Sequence, residues 1–174
     1  MHTPADIRFA VDRMLVKLGT YLRILGYDAE WRPSGRTHEL IREANASGRV
    51  FVTRNRRIPQ EYPRPERMLL VESTDPVRQL TEVVRGAGLD PQRFLFTACI
   101  RCNVALHTVP DKAEIRDRVH PNVYEGYGAF YRCPSCGTVF WHGSHVRNTC
   151  RKLGLPLPAL SIAASEDERK MGTY

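Results

Sequence analysis

The stretch Ile7-Arg-Phe-Ala-Val-Asp12-Arg-Met-Leu-Val-Lys17-Leu-Gly-Thr-Tyr-Leu-Arg-Ile-Leu-Gly-Tyr-Asp28 decides the fold. Ile7, Phe9, Ala10 and Val11 form a short apolar run. After Asp12 the apolar positions shift to Met14, Leu15, Leu18, Tyr21, Leu22 and Leu25, a spacing of about 3.6 residues. The change of period predicts a strand followed by a helix, with Gly26 stopping the helix and Tyr27 opening the next extended segment. Asp12 then stands at the carboxyl end of a buried strand, where open α/β sheets gather ligands and catalytic groups. Arg13, Lys17 and Arg23 fall on the helix face away from the apolar stripe, which predicts a metal-binding carboxylate beside a phosphate-binding surface. The same position also suits an ordinary helix N-cap, a role aspartate often fills.

Outward from this unit, Asp28 to Arg32 reads as a second strand, ended by the turn-rich Pro33-Ser-Gly-Arg36. A helix follows from about Thr37, with Leu40, Ile41 and Ala44 on its buried side and Gly48 closing it. Arg49 to Thr53 is a third strand rich in β-formers, and Arg54-Asn55-Arg56-Arg57 is a basic segment at its carboxyl end. Pro59, Pro63 and Pro65 predict an irregular surface loop. Arg67 to Val71 is a fourth strand, and Asp75-Pro76 starts a helix with Val77, Leu80, Val83 and Val84 as its apolar face, terminated by Gly86 and Gly88.

Strands alternating with helices predict an α/β fold of right-handed βαβ units around a mostly parallel sheet. The loops after such strands share one edge, so Asp12, Asn55 and residues 72–75 converge there, and Glu39 could face the same edge. Oxygen ligands with few histidines suit Mg²⁺ or Mn²⁺ better than zinc. Such an ion can activate water and hold the oxygens of a phosphodiester. Each residue alone has a plainer use: Glu39 as a solvated first-turn acid, Asp75 as a cap, Arg54, Arg56 and Arg57 as a solvated run.

Cys99-Ile-Arg-Cys102 and Cys133-Pro-Ser-Cys136 form two C-x-x-C pairs. Four thiolates so spaced suit a closed, tetrahedral, structural zinc site with Zn–S distances of about 2.3 Å, in preference to a redox dithiol. The segment between them predicts a hairpin insertion holding His107 and the charges of residues 116–118. Phe130-Tyr-Arg132 and Val139-Phe-Trp141 flank the second pair as ribbon strands would. His142 and His145, three apart, could take a metal or a phosphate, or be structural; Cys150 reads as a buried, idle thiol. These readings divide the chain into an α/β domain over 1–93, a small β-rich zinc ribbon over 94–150 and a flexible tail over 151–174.

A net charge of +7 favours an anionic partner, nucleic acid first. No apolar run reaches the roughly 18 residues needed to span a bilayer, so no membrane partner is expected. The first residues lack the apolar core of a signal peptide, which predicts a cytoplasmic protein whose thiols stay reduced.

Val11-Asp-Arg-Met-Leu15, Leu22-Arg-Ile-Leu-Gly-Tyr-Asp28, Val52-Thr-Arg54, Asp75-Pro76, the two C-x-x-C pairs and Trp141-His-Gly-Ser-His145 together resemble the Mut-seven C-terminal ribonuclease family, over Phe9 to Arg147. The resemblance implies a PIN-like nuclease domain followed by a zinc ribbon, and a metal-dependent endoribonuclease acting on RNA. Its acids would fall at Asp12, Glu39, the position of Asn55, and Asp75. Arg13, Lys17, Arg54, Arg56 and Arg57 would meet substrate phosphates, with His142 and His145 on the ribbon. Two departures stand out: Thr53-Arg54-Asn55 where family members look to carry Thr-Arg-Asp, and a segment before Glu39 that has lost its acids. Asparagine offers a carbonyl oxygen but no charge, which weakens a carboxylate-built Mg²⁺ site. The alternative expectation is therefore a weak or inactive relative that binds RNA, and a third is an adaptor for an unidentified protein partner.

Overall fold

The computed structural model describes residues 7–32, 34–61 and 63–156. The chain forms two compact units that divide after Val104. The first holds β1 (Phe9–Val11), α1 (Val16–Ile24), β2 (Ala29–Glu30), α2 (Thr37–Ala46), β3 (Val50–Thr53), α3 (Ile58–Glu61), β4 (Met68–Leu70) and α4 (Pro76–Ala87). The sheet order is β2-β1-β3-β4, all parallel, with Phe9 opposite Ala29, Val11 opposite Val52 and Thr53 opposite Leu70. Ala10 and Phe51 point to one face and pack with Leu40, Ile41, Ala44 and Ile58. Phe9, Val11 and Val52, on the opposite pleat, are also fully buried. A sheet covered on both faces explains why its strands read as continuous apolar runs.

The second unit contains β5 (His107–Thr108), α5 (Pro121–Gly126), β6 (Tyr131–Arg132), β7 (Val139–Phe140) and α6 (Ser144–Leu153). β5, β6 and β7 make a small antiparallel sheet. Its core is modest, with Val109, Ile115 and Phe130 buried under Tyr124, Tyr127, Val139 and Trp141. Among the described residues no helix is long and apolar enough to cross a membrane.

Several local expectations are corrected. The helix after Asp12 begins as a single 3₁₀ turn, Arg13–Leu15, which turns Met14 outward to 55 % exposure. Arg23, expected on the solvent face, is 6 % exposed. Its Nε donates to the Ala29 carbonyl at 2.8 Å, and Nη1 donates to the carbonyls of Ile100 and Arg101 at 3.0 and 2.9 Å. The guanidinium also lies 3.7 Å above the Trp31 ring, so a charge that periodicity assigns to water is satisfied inside. In the expected proline loop, α3 forms because Asn55 opens it: its Oδ1 accepts the Arg57 N–H at 2.9 Å, and a proline in a first turn costs no hydrogen bond. The insertion between the cysteine pairs holds an antiparallel strand pair, Tyr131–Arg132 against β5 with His107, but its connection is long and carries a 3₁₀ helix over Lys112–Arg118 and α5. Residues 151–153 complete α6, which Gly154 ends at φ 65°; the rest of the expected tail, from 157, lies outside the described residues.

A buried arginine with two acidic partners holds the amino edge of the sheet. Arg49 donates to both Asp28 oxygens at 2.8 and 2.9 Å and to Glu30 at 2.9 Å. Burial opposes ionisation of Asp28, but hydrogen bonds from Arg49 and Asn103 and the Arg49 charge outweigh it and hold the carboxyl below its usual range. Arg49→Met should cost about 2 to 3 kcal/mol, less than a fully buried pair because the carboxylates are partly solvated. A carboxyl depressed in the folded state stabilises above its unfolded pKa of about 3.9, and that contribution fades as pH falls through the lower folded value. Urea unfolding should therefore show the mutant penalty in full at neutral pH and shrinking once the medium is more acidic than about pH 4. A penalty independent of pH would assign it to packing.

Candidate functional site

The strand order reverses between β1 and β3: the chain leaves β1 toward β2 and then returns to the other side. At such a switch point the loops after the two strands part and leave a crevice at the carboxyl edge. Asp12 sits there, following β1, with its amide bonded to the Val52 carbonyl at 2.9 Å. It occupies the N-cap position of the 3₁₀ turn, yet its side chain makes no cap hydrogen bond. Instead Oδ2 accepts the Thr53 hydroxyl at 2.6 Å from the end of β3. Thr53 is fully buried and its hydroxyl also accepts the Asn55 N–H at 3.0 Å, so its proton is directed at Asp12. The carboxylate is 3 % exposed and lines a cleft with Arg13, Arg32, Ser34, Gly35, Arg36, Thr37 and Leu40.

The other expected acids lie at starts of helices and are engaged there. Glu39 Oε2 accepts the Arg36 N–H at 3.2 Å, at the start of α2. Asp75 Oδ1 accepts the N–H groups of Val77 and Arg78 at 3.0 and 2.9 Å, capping α4. Asn55 uses its carbonyl oxygen on α3 as described. Glu72 meets Arg56 at 2.6 Å, with both side chains exposed. Among the described residues, the four cysteines are the only group of three or more His, Cys, Asp or Glu whose ligand atoms come together for a metal. A multi-carboxylate centre for Mg²⁺ or Mn²⁺ is thus not assembled among the described residues; of the expected acids, Asp12 is the one whose carboxylate is not spent on a helix start.

Arg13, which shares the cleft with Asp12, is exposed, as are Lys17 on α1 and Arg57 on the segment after β3. Arg54 is half-buried, and its Nε is buried without a hydrogen-bond partner among the described residues. Thr53, Arg32, Ser34, Arg36 and Thr37 were not anticipated as site residues. For Thr53 a signal existed, since a threonine ending an otherwise apolar strand faces the same edge as Asp12.

The thiol sulfurs of Cys99, Cys102, Cys133 and Cys136 lie within 4.8 Å of one another. Tetrahedral coordination at about 2.3 Å places sulfurs about 3.8 Å apart, so these four could hold zinc after a small contraction. The Cys102 and Cys136 amides donate to the Cys99 and Cys133 sulfurs at 3.5 and 3.4 Å. His142 and His145 stand outside this set. His142 stacks on Tyr131 with centroids 5.4 Å apart, and His145 meets the Trp141 edge at 5.6 Å. Burial lowers both pKa values, so both rings are neutral at pH 7 and offer stacking and hydrogen bonds in place of charge. Cys150 is buried, as expected of an idle thiol.

No curated protein and no solved structure matches this chain. A family model does, the Mut7-C RNAse domain, and its match runs over residues 7–153, through both the Asp12 crevice and the cysteine cluster. With a ribonuclease-type domain spanning nearly the whole described fold, this chain belongs to the Mut7-C RNAse domain family.

Proposed function

We propose that the chain is a PIN-like endoribonuclease that cleaves RNA at the cleft beside Asp12, and that zinc in the four-cysteine site is purely structural. The observation that carries this reading is the buried Asp12 carboxylate, oriented by Thr53 at the switch point of the sheet. Asp12 would hold a single Mg²⁺ or Mn²⁺, which when bound supplies Lewis acidity at the scissile phosphate. Thr53 fixes the carboxylate rotamer by donating to one oxygen. Arg13, Lys17 and Arg54 neutralise substrate phosphates. The half-exposed Tyr131 and His142 stack offers the strand a flat surface on the ribbon. With one carboxylate, ion affinity before substrate arrives is low, since substrate oxygens must complete the coordination.

Cleavage of labelled structured and unstructured RNAs by zinc-loaded protein, in Mn²⁺, in Mg²⁺ and after brief chelation, tests the reading. Asp12→Asn should slow cutting at least about a hundredfold, some 2.7 kcal/mol of barrier. A second reading, an RNA-binding relative with little chemistry, is favoured by the capping roles of Glu39, Asn55 and Asp75. Binding without cutting in every metal, by wild type and mutant alike, would select it.

A further inference from the structure

The cleft beside Asp12 is lined by more cationic than anionic side chains. Of its charged lining groups, one is the Asp12 carboxylate and three are the guanidinium groups of Arg13, Arg32 and Arg36. Ser34 and Thr37 add hydroxyls. Arg32 also meets Glu43 at 2.9 Å, but both side chains are about half exposed, so that pair is weak and the guanidinium keeps donors to offer. The Glu39 carboxylate faces the Arg36 amide beside Gly35 and is not among the lining groups. Counting Glu43 against Arg32, the lining groups still carry an excess positive charge. Gly35 makes the arrangement possible: its φ of 115° is open to glycine, and the turn brings Ser34 and Arg36 round to the mouth of the β1 loop.

We infer that this cleft is a direct phosphate seat, in which Arg13, Arg32 and Arg36 grip one phosphodiester group of an RNA strand without a bridging divalent cation. The inference rests on the reading of the chain as acting on RNA, and it names how the strand is held. A guanidinium presents paired donors that match two phosphate oxygens, and an internal phosphodiester carries the single charge that the cleft's excess would balance. Asp12 lies in the same cleft as a like charge to the bound phosphate. Its carboxylate therefore opposes binding and serves the cleavage step alone.

That division has an unusual signature. Binding of a short fluorescent oligouridylate to zinc-loaded protein, with no Mg²⁺ or Mn²⁺ added, should be followed by anisotropy across a salt series. Arg32→Gln and Arg36→Gln should each weaken binding about tenfold and flatten the slope of log affinity against log salt by about 0.7. Asp12→Asn should tighten binding severalfold in the same buffer, while its cleavage is lost. Arg85→Gln, exposed in the last turn of α4, serves as the control and should leave affinity unchanged. Thermal melting checks that each variant is folded.

Weaker binding by Asp12→Asn would mean that the cleft recruits RNA through a cation, and would overturn the inference. So would unchanged affinity and slope in the two arginine variants, or a wild type that binds no RNA at low salt. If the arginine effects appear but no metal supports cutting, the seat stands and the ribonuclease reading falls. If cutting depends on Asp12 while Arg32 and Arg36 do not matter to binding, the reverse holds.

Discussion

Cys133→Ser protein is expected to contain no zinc, and its residues 105–156 should become sensitive to proteolysis under conditions where the wild type resists. The second unit has strands of two residues each, and the apolar cluster beneath them is built on Val109, Ile115 and Phe130 with partly buried neighbours. Such a core stabilises by only a few kcal/mol before chain entropy is subtracted. Structural zinc supplies apparent binding energies of about 10 to 16 kcal/mol at neutral pH, so folding and metal binding should be one event. Cys133 is 1 % exposed and its sulfur accepts the Cys136 amide, so serine there loses both a ligand and a fitted contact. Metal content by mass spectrometry and limited proteolysis measure the two consequences. Cys150→Ser is the control, because that thiol is buried outside the cluster and should leave the zinc content unchanged. One equivalent of zinc retained by Cys133→Ser, with proteolysis unaltered, would remove the metal from the account of this unit.

Gly26→Ala should destabilise the first unit by at least about 4 kcal/mol, which is at the upper end for a one-carbon change. Gly26 has φ 82°, and an alanine there adds left-handed strain of about 1 to 2 kcal/mol. The larger cost is steric. A Cβ would lie 2.0 Å from the Phe94 carbonyl oxygen and 2.5 Å from the Phe94 Cβ. The backbone oxygen cannot rotate away as a side chain might, so the turn over residues 94–97 must move. That turn places the Phe96 N–H on the Ile24 carbonyl at 2.8 Å and the Phe94 ring against Tyr27 with centroids 6.0 Å apart. Thermal unfolding should fall by roughly 10 °C or more. A melting temperature within a degree or two of wild type would show that the segment after α4 is free to yield.

Gly26 also illustrates how far local reading carries. Its role as a helix stop was legible from Leu25-Gly-Tyr27, because a left-handed residue after a helix is a requirement of the backbone alone. The close approach of Phe94 was not, since it depends on where the end of α4 delivers the chain. The same holds for α3 and α6. The proline-rich sequence after Arg57 argued for a loop until Asn55 supplied the turn that opens α3, and α6 was hidden behind a motif read for its histidines.

By itself the sequence determined the alternation of strand and helix, the four-cysteine set and the family. Each depends on periods and spacings that local covalent geometry translates directly into structure. It also placed Asp12 correctly at the carboxyl end of β1. Only the tertiary structure decided which acids stand alone and which are engaged. Glu39, Asn55 and Asp75 each find an N–H two or three residues away in their own segment, whereas Asp12 is held by a hydroxyl 41 positions distant. Arg23 is buried for a similar reason, its acceptors at Ile100 and Arg101 lying 77 and 78 positions along the chain. A polar side chain goes to whichever partner satisfies it at least cost, and for these two residues that partner exists only once the sheet has closed.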